Sequence, residues 1–349
     1  MKLSDFDYSL PKELIAQYPL KKRDSCRLMV IDRKSNAVSH RIFSDFAEYV
    51  GPHDIVVVNN TKVVPVRFLG VKKDTLGKVD VLLSERLSPR SFRALIKPNL
   101  KTGQEVLFNA PAGLGVNGIL KARVIDEKVI EFNKNISSKI VEAIGVMPLP
   151  PYIKRQPQKL DILSYQTVYA KKPGAIASPT AGLHFTKTIL ERIRKKKVRI
   201  DSVTLHVGLG TFKPVKCENI QEHVMEKEAF HISKKTLQAI AQAKKNGKRI
   251  FAVGTTTTRV LETAAELAAK SPSSIVHRPS SQGYTNLFIY PGYQFKMVDA
   301  LVTNFHLPKT TLFILVCAFA GRDLIMKAYN EAIKEKYRFY SYGDAMLIV

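Results

Sequence analysis

"RIFAVGTTTTRVLET", residues 249–263, places four consecutive apolar residues, Ile250, Phe251, Ala252 and Val253, before a glycine and four threonines. The apolar run reads as a strand, and "TTTTRVLETAAELAAK" (255–270) as a loop entering a helix. The same alternation continues on both sides. "TKTILERIRKKK" (186–197) sets Ile189, Leu190 and Ile193 on one helical face, and "VRIDSVTLHV" (198–207) then alternates as a strand. "SKKTLQAIAQAKKNG" (233–247) reads as a helix with Ser233 as N-cap and Gly247 at its stop. "FKMVDALVTN" (295–304) is another strand and "RDLIMKAYNEAIKEKYR" (322–338) another helix. Near the start stand "RLMVIDR" (27–33) and "DIVVVNNTKVVPVRFLG" (54–70), the latter a fully apolar strand running into Asn59, Asn60 and Thr61. Strands alternating with helices imply an α/β domain.

From about residue 68 to 150 the texture changes. Short β-rich runs such as "KVDVLLSE", "SFRALI", "EVLFN", "LKARVID" and "VIEFN" are separated by Gly, Pro, Asn and Ser turns, the spacing of a small all-β barrel or sandwich. It closes on "GVMPLPPYIKRQPQ" (145–158), whose prolines make a stiff, extended linker. The expected fold class is therefore α/β. A large mixed α/β domain is built from both ends of the chain, residues 1–67 and 151–349, with a small barrel-like β domain inserted at 68–150.

The 349 residues suffice for a sizeable core, and the 45% hydrophobic and 24% charged content is ordinary for a globular protein. The charge balance is not ordinary: 55 Lys and Arg stand against 30 Asp and Glu, a formal excess of +25. Such an excess suits either solubility or a polyanionic partner, whose phosphates release counterions when neutralised. The basic residues cluster in "RIRKKKVR" (192–199), "KKNGKR" (244–249), "KKR" (21–23) and "KRQPQK" (154–159). Cys26, Cys217 and Cys317 are far apart and fit no zinc spacing or disulfide framework, so a reducing cytosol is expected. The N-terminus has no hydrophobic region of a secretory signal, and the longest apolar run, 312–320, is nine residues, about half a membrane crossing. No membrane role is expected.

Candidate site residues gather at predicted strand ends, where α/β enzymes place their chemistry. Backbone N–H groups at the helix start, beside the hydroxyls of Thr255, Thr256, Thr257 and Thr258 and the guanidinium of Arg259, suit a carboxylate or phosphate; alternatively the threonines only cap the helix. "SPTAGLHFT" (178–186) carries Thr180 and His184, "HVGLGTFKPV" (206–215) carries His206 with Gly208 and Gly210, and "TNFHLPKTTL" (303–312) carries Asn304 and His306. A histidine among apolar neighbours is usually a satisfied core residue, but three at strand ends favour function for at least one. "YRFYSYGDAMLIV" closes the chain with Tyr337, Tyr340 and Tyr342, suited to stacking or to packing, and with Asp344 in a glycine turn, suited to a base, a hydroxyl acceptor or an Asx turn. Neither a dinucleotide fingerprint nor a Walker loop is present; Lys213 stands where the third glycine would be.

These stretches, with "LPKELIAQYP", "VVNNTKVVPVRFLG", "MPLPPYIKR", "YQTVYA" and "FIYPGYQFKMVDALVTNFHLPKTTL", closely resemble the S-adenosylmethionine:tRNA ribosyltransferase-isomerase family over nearly the whole chain. The resemblance implies an enzyme of queuosine biosynthesis. It would use S-adenosylmethionine as co-substrate and tRNA carrying 7-aminomethyl-7-deazaguanine as partner, and no metal is expected because the sulfonium is its own activating group. Proton work is expected of His184, His306 and Asp344, binding of an anionic group of Arg259 and Thr255, Thr256, Thr257 and Thr258, and further substrate contacts of Thr180, Asn304 and Tyr342. A cytoplasmic monomer is the expected form. Two departures stand out: "HVMEKE" keeps His223, Met225 and Glu228 but has Glu226 where the family has a second histidine, and Cys26 stands where Ser is more usual. Two rival readings are an RNA methyltransferase using the same co-substrate and a noncatalytic RNA-binding protein. The first lacks the Gly-rich loop it would want, and the second gives no reason for His184, His306 and Asp344.

Overall fold

The structure, a computed structural model, describes all residues except 112–113, 115–117, 209–214 and 271–279. Among the described residues a nine-stranded sheet forms the frame, in the order Ser280–Thr285, Glu228–Ser233, Arg199–Leu205, Ile55–Asn59, Ile250–Val253, Ala300–Asn304, Ala345–Ile348, Arg27–Asp32 and Ala37–Ile42. Its four central strands, Arg199–Leu205 through Ala300–Asn304, run parallel. Ala345–Ile348 is antiparallel to Ala300–Asn304 and parallel to Arg27–Asp32, so the two ends of the chain meet inside one sheet.

The strand period decides what each apolar residue does. Val57, Ala252, Leu301, Met346 and Met29 point to one face, and Val56, Val58, Phe251, Val302, Leu347 and Leu28 to the other. Because both faces are covered, the central strands read as continuous apolar runs rather than as alternating ones. The first face is packed by Lys234–Lys245, Thr255–Lys270, Thr311–Ala320 and Arg322–Lys334. The second carries Lys187–Lys195, whose Ile189, Leu190 and Ile193 are buried, and the turn of helix Phe43–Glu48. The apolar run at 312–320 is a helix. It starts at Thr311 behind the N-cap Thr310, whose hydroxyl accepts from the Phe313 amide at 3.3 Å, and it is apolar nearly all round because it is buried nearly all round.

The texture change near residue 68 corresponds to a closed antiparallel barrel of six strands, Arg67–Lys72, Lys78–Arg86, Ser91–Lys97, Val129–Phe132, Ile119–Asp126 and Glu105–Asn109. Pairing of Val71 with Leu107 and Lys72 with Val106 shuts the ring, and Phe68, Phe108 and Phe132 pack edge-on inside it. Closure removes the exposed strand edges that a small sheet otherwise presents.

Two expected elements are shorter or earlier than their patterns suggest. The helix at 255–270 begins at Thr255, directly after Gly254, with no loop between. The strand expected over 295–304 occupies only Ala300–Asn304, because the buried Glu262 carboxylate accepts from the amides of Lys296, Met297 and Val298 at 2.8–3.0 Å and bends that stretch away from the sheet. Phe251, fully buried in the central strands, is expected to be a main support of this packing. Phe251→Ala should cost about 3–5 kcal/mol in denaturant unfolding, and Phe251→Leu, which leaves a smaller cavity, should cost less.

Candidate active site

The parallel strands deliver polar residues at their C-terminal ends, Asn59 from Ile55–Asn59 and Asn304 from Ala300–Asn304, with Gly254 following Ile250–Val253. Gly254 turns the chain from strand to helix with φ +90°, a conformation that favours glycine, and its amide donates to Val302 O at 2.8 Å. The four threonines then divide. Thr257 and Thr258 turn their hydroxyls back onto Val253 O and Gly254 O, at 2.7 and 3.2 Å. Thr255 and Thr256 instead line a cleft, with Thr256 Oγ1 held at 3.3 Å by Asn59 Nδ2. The first N–H groups of this helix have no intrahelical acceptor and carry the positive end of its dipole.

Ser178, Thr180, Asn304 and His306 contribute to the polar lining of this cleft. Two buried polar atoms of its lining residues, Ser178 Oγ and Asn304 Oδ1, have no hydrogen-bond partner among the described residues. Each such atom costs about 1–3 kcal/mol if left unpaired, so their gathering at one cleft fits a polar ligand there.

His184 ends the short helix Thr180–His184 and is buried. Its Nε2 lies 3.0 Å from Asn304 Nδ2 and its Nδ1 3.1 Å from Cys26 Sγ. Asn304 Nδ2 also donates to Tyr340 O at 3.0 Å, which fixes the amide's nitrogen on the His184 side. Burial drives the His184 pKa down to about 3, so the ring is neutral at pH 7. His306 also is buried, and burial lowers its pKa to about 3. Its Nε2 is 2.8 Å from Thr303 Oγ1, its amide donates to Tyr329 Oη at 3.0 Å, and its carbonyl accepts from the Tyr8 hydroxyl.

Other expected site residues stand elsewhere. Both carboxylate oxygens of Asp344 accept from backbone amides, those of Arg27 at 2.9 Å and Arg338 at 2.7 Å. Burial raises its pKa and these amides oppose the shift. Arg259 is buried in an ion pair with Glu228 and donates to Leu287 O at 3.0 Å, while Glu228 accepts from the Gly208 amide at 3.1 Å. Tyr342 donates to Asp161 at 2.8 Å, and Arg155 grips that same carboxylate with two bonds of 2.7 Å. Tyr342 lines a second pocket together with His184, Cys26, Arg23 and Lys21. His206 sits 2.8 Å from Thr61 Oγ1 beside Gly174. Gly210 and Lys213 lie outside the described residues.

The profile of the "Queuosine biosynthesis protein" family matches residues 3–348. The chain belongs to this family. It is 51% identical, over the full length of both chains, to a protein of Sulfurihydrogenibium sp. named S-adenosylmethionine:tRNA ribosyltransferase-isomerase. It is 48% identical, again over both full lengths, to one of the same name from Symbiobacterium thermophilum. Among solved structures, an S-adenosylmethionine tRNA ribosyltransferase from Thermotoga maritima is 36% identical, with TM-score 0.56, covering 99% of this chain and all of that one. As in that neighbour, the architecture is mixed α/β with a closed barrel.

Sequence reasoning passes over Ser178, although it stands inside a family motif, because a lone hydroxyl in a pattern does not announce that it is buried and unpaired. Cys26, which stands where Ser is more usual, has its sulfur 3.1 Å from Nδ1 of His184. The second departure, Glu226, follows His223, whose ring packs edge-on against Phe288 at 5.1 Å. Among the described residues no group of three or more His, Cys, Asp and Glu side chains is placed to hold a metal ion.

The two neutral histidines give the fold a pH dependence with a definite sign. Their ordinary pKa of 6.5 falls to about 3 in the folded protein, so between those values the unfolded chain binds protons that the folded chain refuses. Stability is therefore full above about pH 6.5 and declines as pH falls toward 3. Urea unfolding at a series of pH values should show that slope, and His306→Gln should make it shallower.

Proposed function

We propose that this protein transfers and isomerises the ribosyl unit of S-adenosylmethionine onto 7-aminomethyl-7-deazaguanine at the tRNA wobble position. The products are epoxyqueuosine-tRNA, adenine and methionine. The observation that carries this reading is identity near 50%, over entire chains, to enzymes of that name. The cleft supplies what the chemistry needs. Neutral donors at the start of Thr255–Lys270, with the hydroxyls of Ser178, Thr180, Thr255 and Thr256, suit the methionine carboxylate. Arg259, already neutralised by Glu228, supports the helix rather than meeting the anion itself.

Opening the ribose requires removal of an acidic hydrogen beside the sulfonium, such as one at C5′, and a proton for departing adenine. His306 is our choice for proton work, since its neutral ring lines the cleft. Asp344 holds the wall that carries Tyr340 and Ser341, and Tyr342 fixes the outer rim through Asp161. Residues 1–67 with 151–349 are proposed as the catalytic domain, with 68–150 inserted, working as a cytoplasmic monomer. The partner tRNA is expected to reach the site along basic surface that includes Arg194, Lys195 and Lys197, which are exposed, whereas Arg192 and Lys196 donate to Ser44 O and Ala47 O.

Purified protein given S-adenosylmethionine and tRNA bearing the aminomethyl deazaguanine should release adenine in step with modified nucleoside. Methylated tRNA without adenine would overturn the assignment in favour of methyl transfer, and binding without turnover would favour a noncatalytic role. His306→Gln keeps a donor and an acceptor but not the titrating ring, and should lower turnover about 10²-fold. Affinity for tRNA should fall with salt. Replacing Arg194, Lys195 and Lys197 by Gln should reduce the log–log slope by roughly 0.7–0.9 for each phosphate no longer neutralised.

A further inference from the structure

An amide side chain has two ends of nearly equal size, and its partners decide which end meets a ligand. In Asn304 the partners leave no ambiguity. The nitrogen has two hydrogens and finds two acceptors, Tyr340 O and His184 Nε2, each at 3.0 Å. The oxygen is buried and has no partner among the described residues, and Asn304 is one of the residues lining the cleft. Turning the amide over would set its oxygen against the Tyr340 carbonyl, acceptor against acceptor. The other ring nitrogen of His184, Nδ1, is occupied by Cys26 Sγ at 3.1 Å. The backbone under Asn304 is equally constrained, because it ends the strand Ala300–Asn304 in register with Ala345.

We infer that Asn304 Oδ1 accepts a hydrogen bond from a donor group of the co-substrate, and that His184 is the positioning residue that holds the amide in that sense. The inference rests on the function proposed above and deepens it, naming what one wall of the cleft recognises. Two groups of S-adenosylmethionine have the right chemistry, a ribose hydroxyl and the exocyclic amine of adenine. A carboxylate or an ether oxygen at this point would be repelled. The neutral state of His184 belongs to this role, since its Nε2 must stay unprotonated to receive the amide. With both ring nitrogens engaged inside the protein, His184 does not itself exchange protons with the substrate.

Calorimetric titration with S-adenosylmethionine tests this without relying on turnover. Asn304→Ala should weaken binding about tenfold. His184→Ala should weaken it by a similar factor, and the double variant should be no weaker than either single one, because the two residues act as a unit. His184→Gln offers an oxygen to Asn304 Nδ2 and should recover affinity to within about threefold. It also serves where His184→Ala fails to fold. Intact affinity with turnover abolished in His184→Gln would instead make His184 a proton carrier and overturn the inference. Co-substrate forms lacking the 2′-hydroxyl, lacking the 3′-hydroxyl, or with the adenine amine replaced by oxygen distinguish the donors. One of them should bind the unmodified protein about tenfold more weakly and show no such penalty against Asn304→Ala. If none does, the inference is wrong. Failure of the unmodified protein to bind S-adenosylmethionine at all would remove the assigned function along with it, whereas binding insensitive to Asn304 removes the inference alone.

Discussion

The carboxylate of Asp344 takes hold of two amides that the sequence keeps far apart, one at Arg27 and one at Arg338. With it the last strand, Ala345–Ile348, is set parallel to the first, Arg27–Asp32, and antiparallel to Ala300–Asn304. That arrangement places the loop 337–344 across the ends of the central strands. Tyr340 O and Ser341 reach the cleft from this loop, and the Asn304 amide takes its orientation from Tyr340 O. A carboxylate kept in place by burial and two charge-assisted bonds thus decides the shape of a wall it does not itself line.

The cleft is polarised from end to end. On one side are the donors of a helix start and threonine hydroxyls, and on another the Asn304 amide, held by Tyr340 O and His184. Among the described residues that line it none is an Arg, Lys, Asp or Glu; Arg259 is paired with Glu228 and Arg155 with Asp161. A site that binds with dipoles rather than ions suits a co-substrate already carrying a sulfonium and a carboxylate, because fixed dipoles in a partly dry site need no reorganisation as charge moves during reaction.

Much of the frame was legible in the primary sequence because strand and helix signals are local. The apolar run of Ile250, Phe251, Ala252 and Val253, the Ser233 and Gly247 boundaries, and the alternating runs after residue 68 each carry their meaning within a few residues. The site was legible only as a set of names. Asn304, His306, Thr180, Thr255 and Thr256 do come together, but Arg259 reads as a free cation until Glu228, 31 positions away in sequence, is brought beside it. Asp344 reads as a base until its two amides are seen. Glu262 truncates a strand from 34 to 36 positions away, a bond no periodicity announces. Side chains that satisfy distant backbone groups are invisible to pattern and obvious to geometry.

The segment leaving the barrel does not pass the cleft freely. Tyr152 packs edge-on against Tyr340, with ring centres 3.7 Å apart, and its hydroxyl pairs with Ser341. A little further along the same segment, the Arg155–Asp161 clamp receives Tyr342. The strap and the final loop are therefore one mechanical piece, stitched at Tyr340, Ser341 and Tyr342 in succession. Whatever displaces Tyr152 must therefore break its contacts to Tyr340 and Ser341 or carry that part of the cleft wall with it.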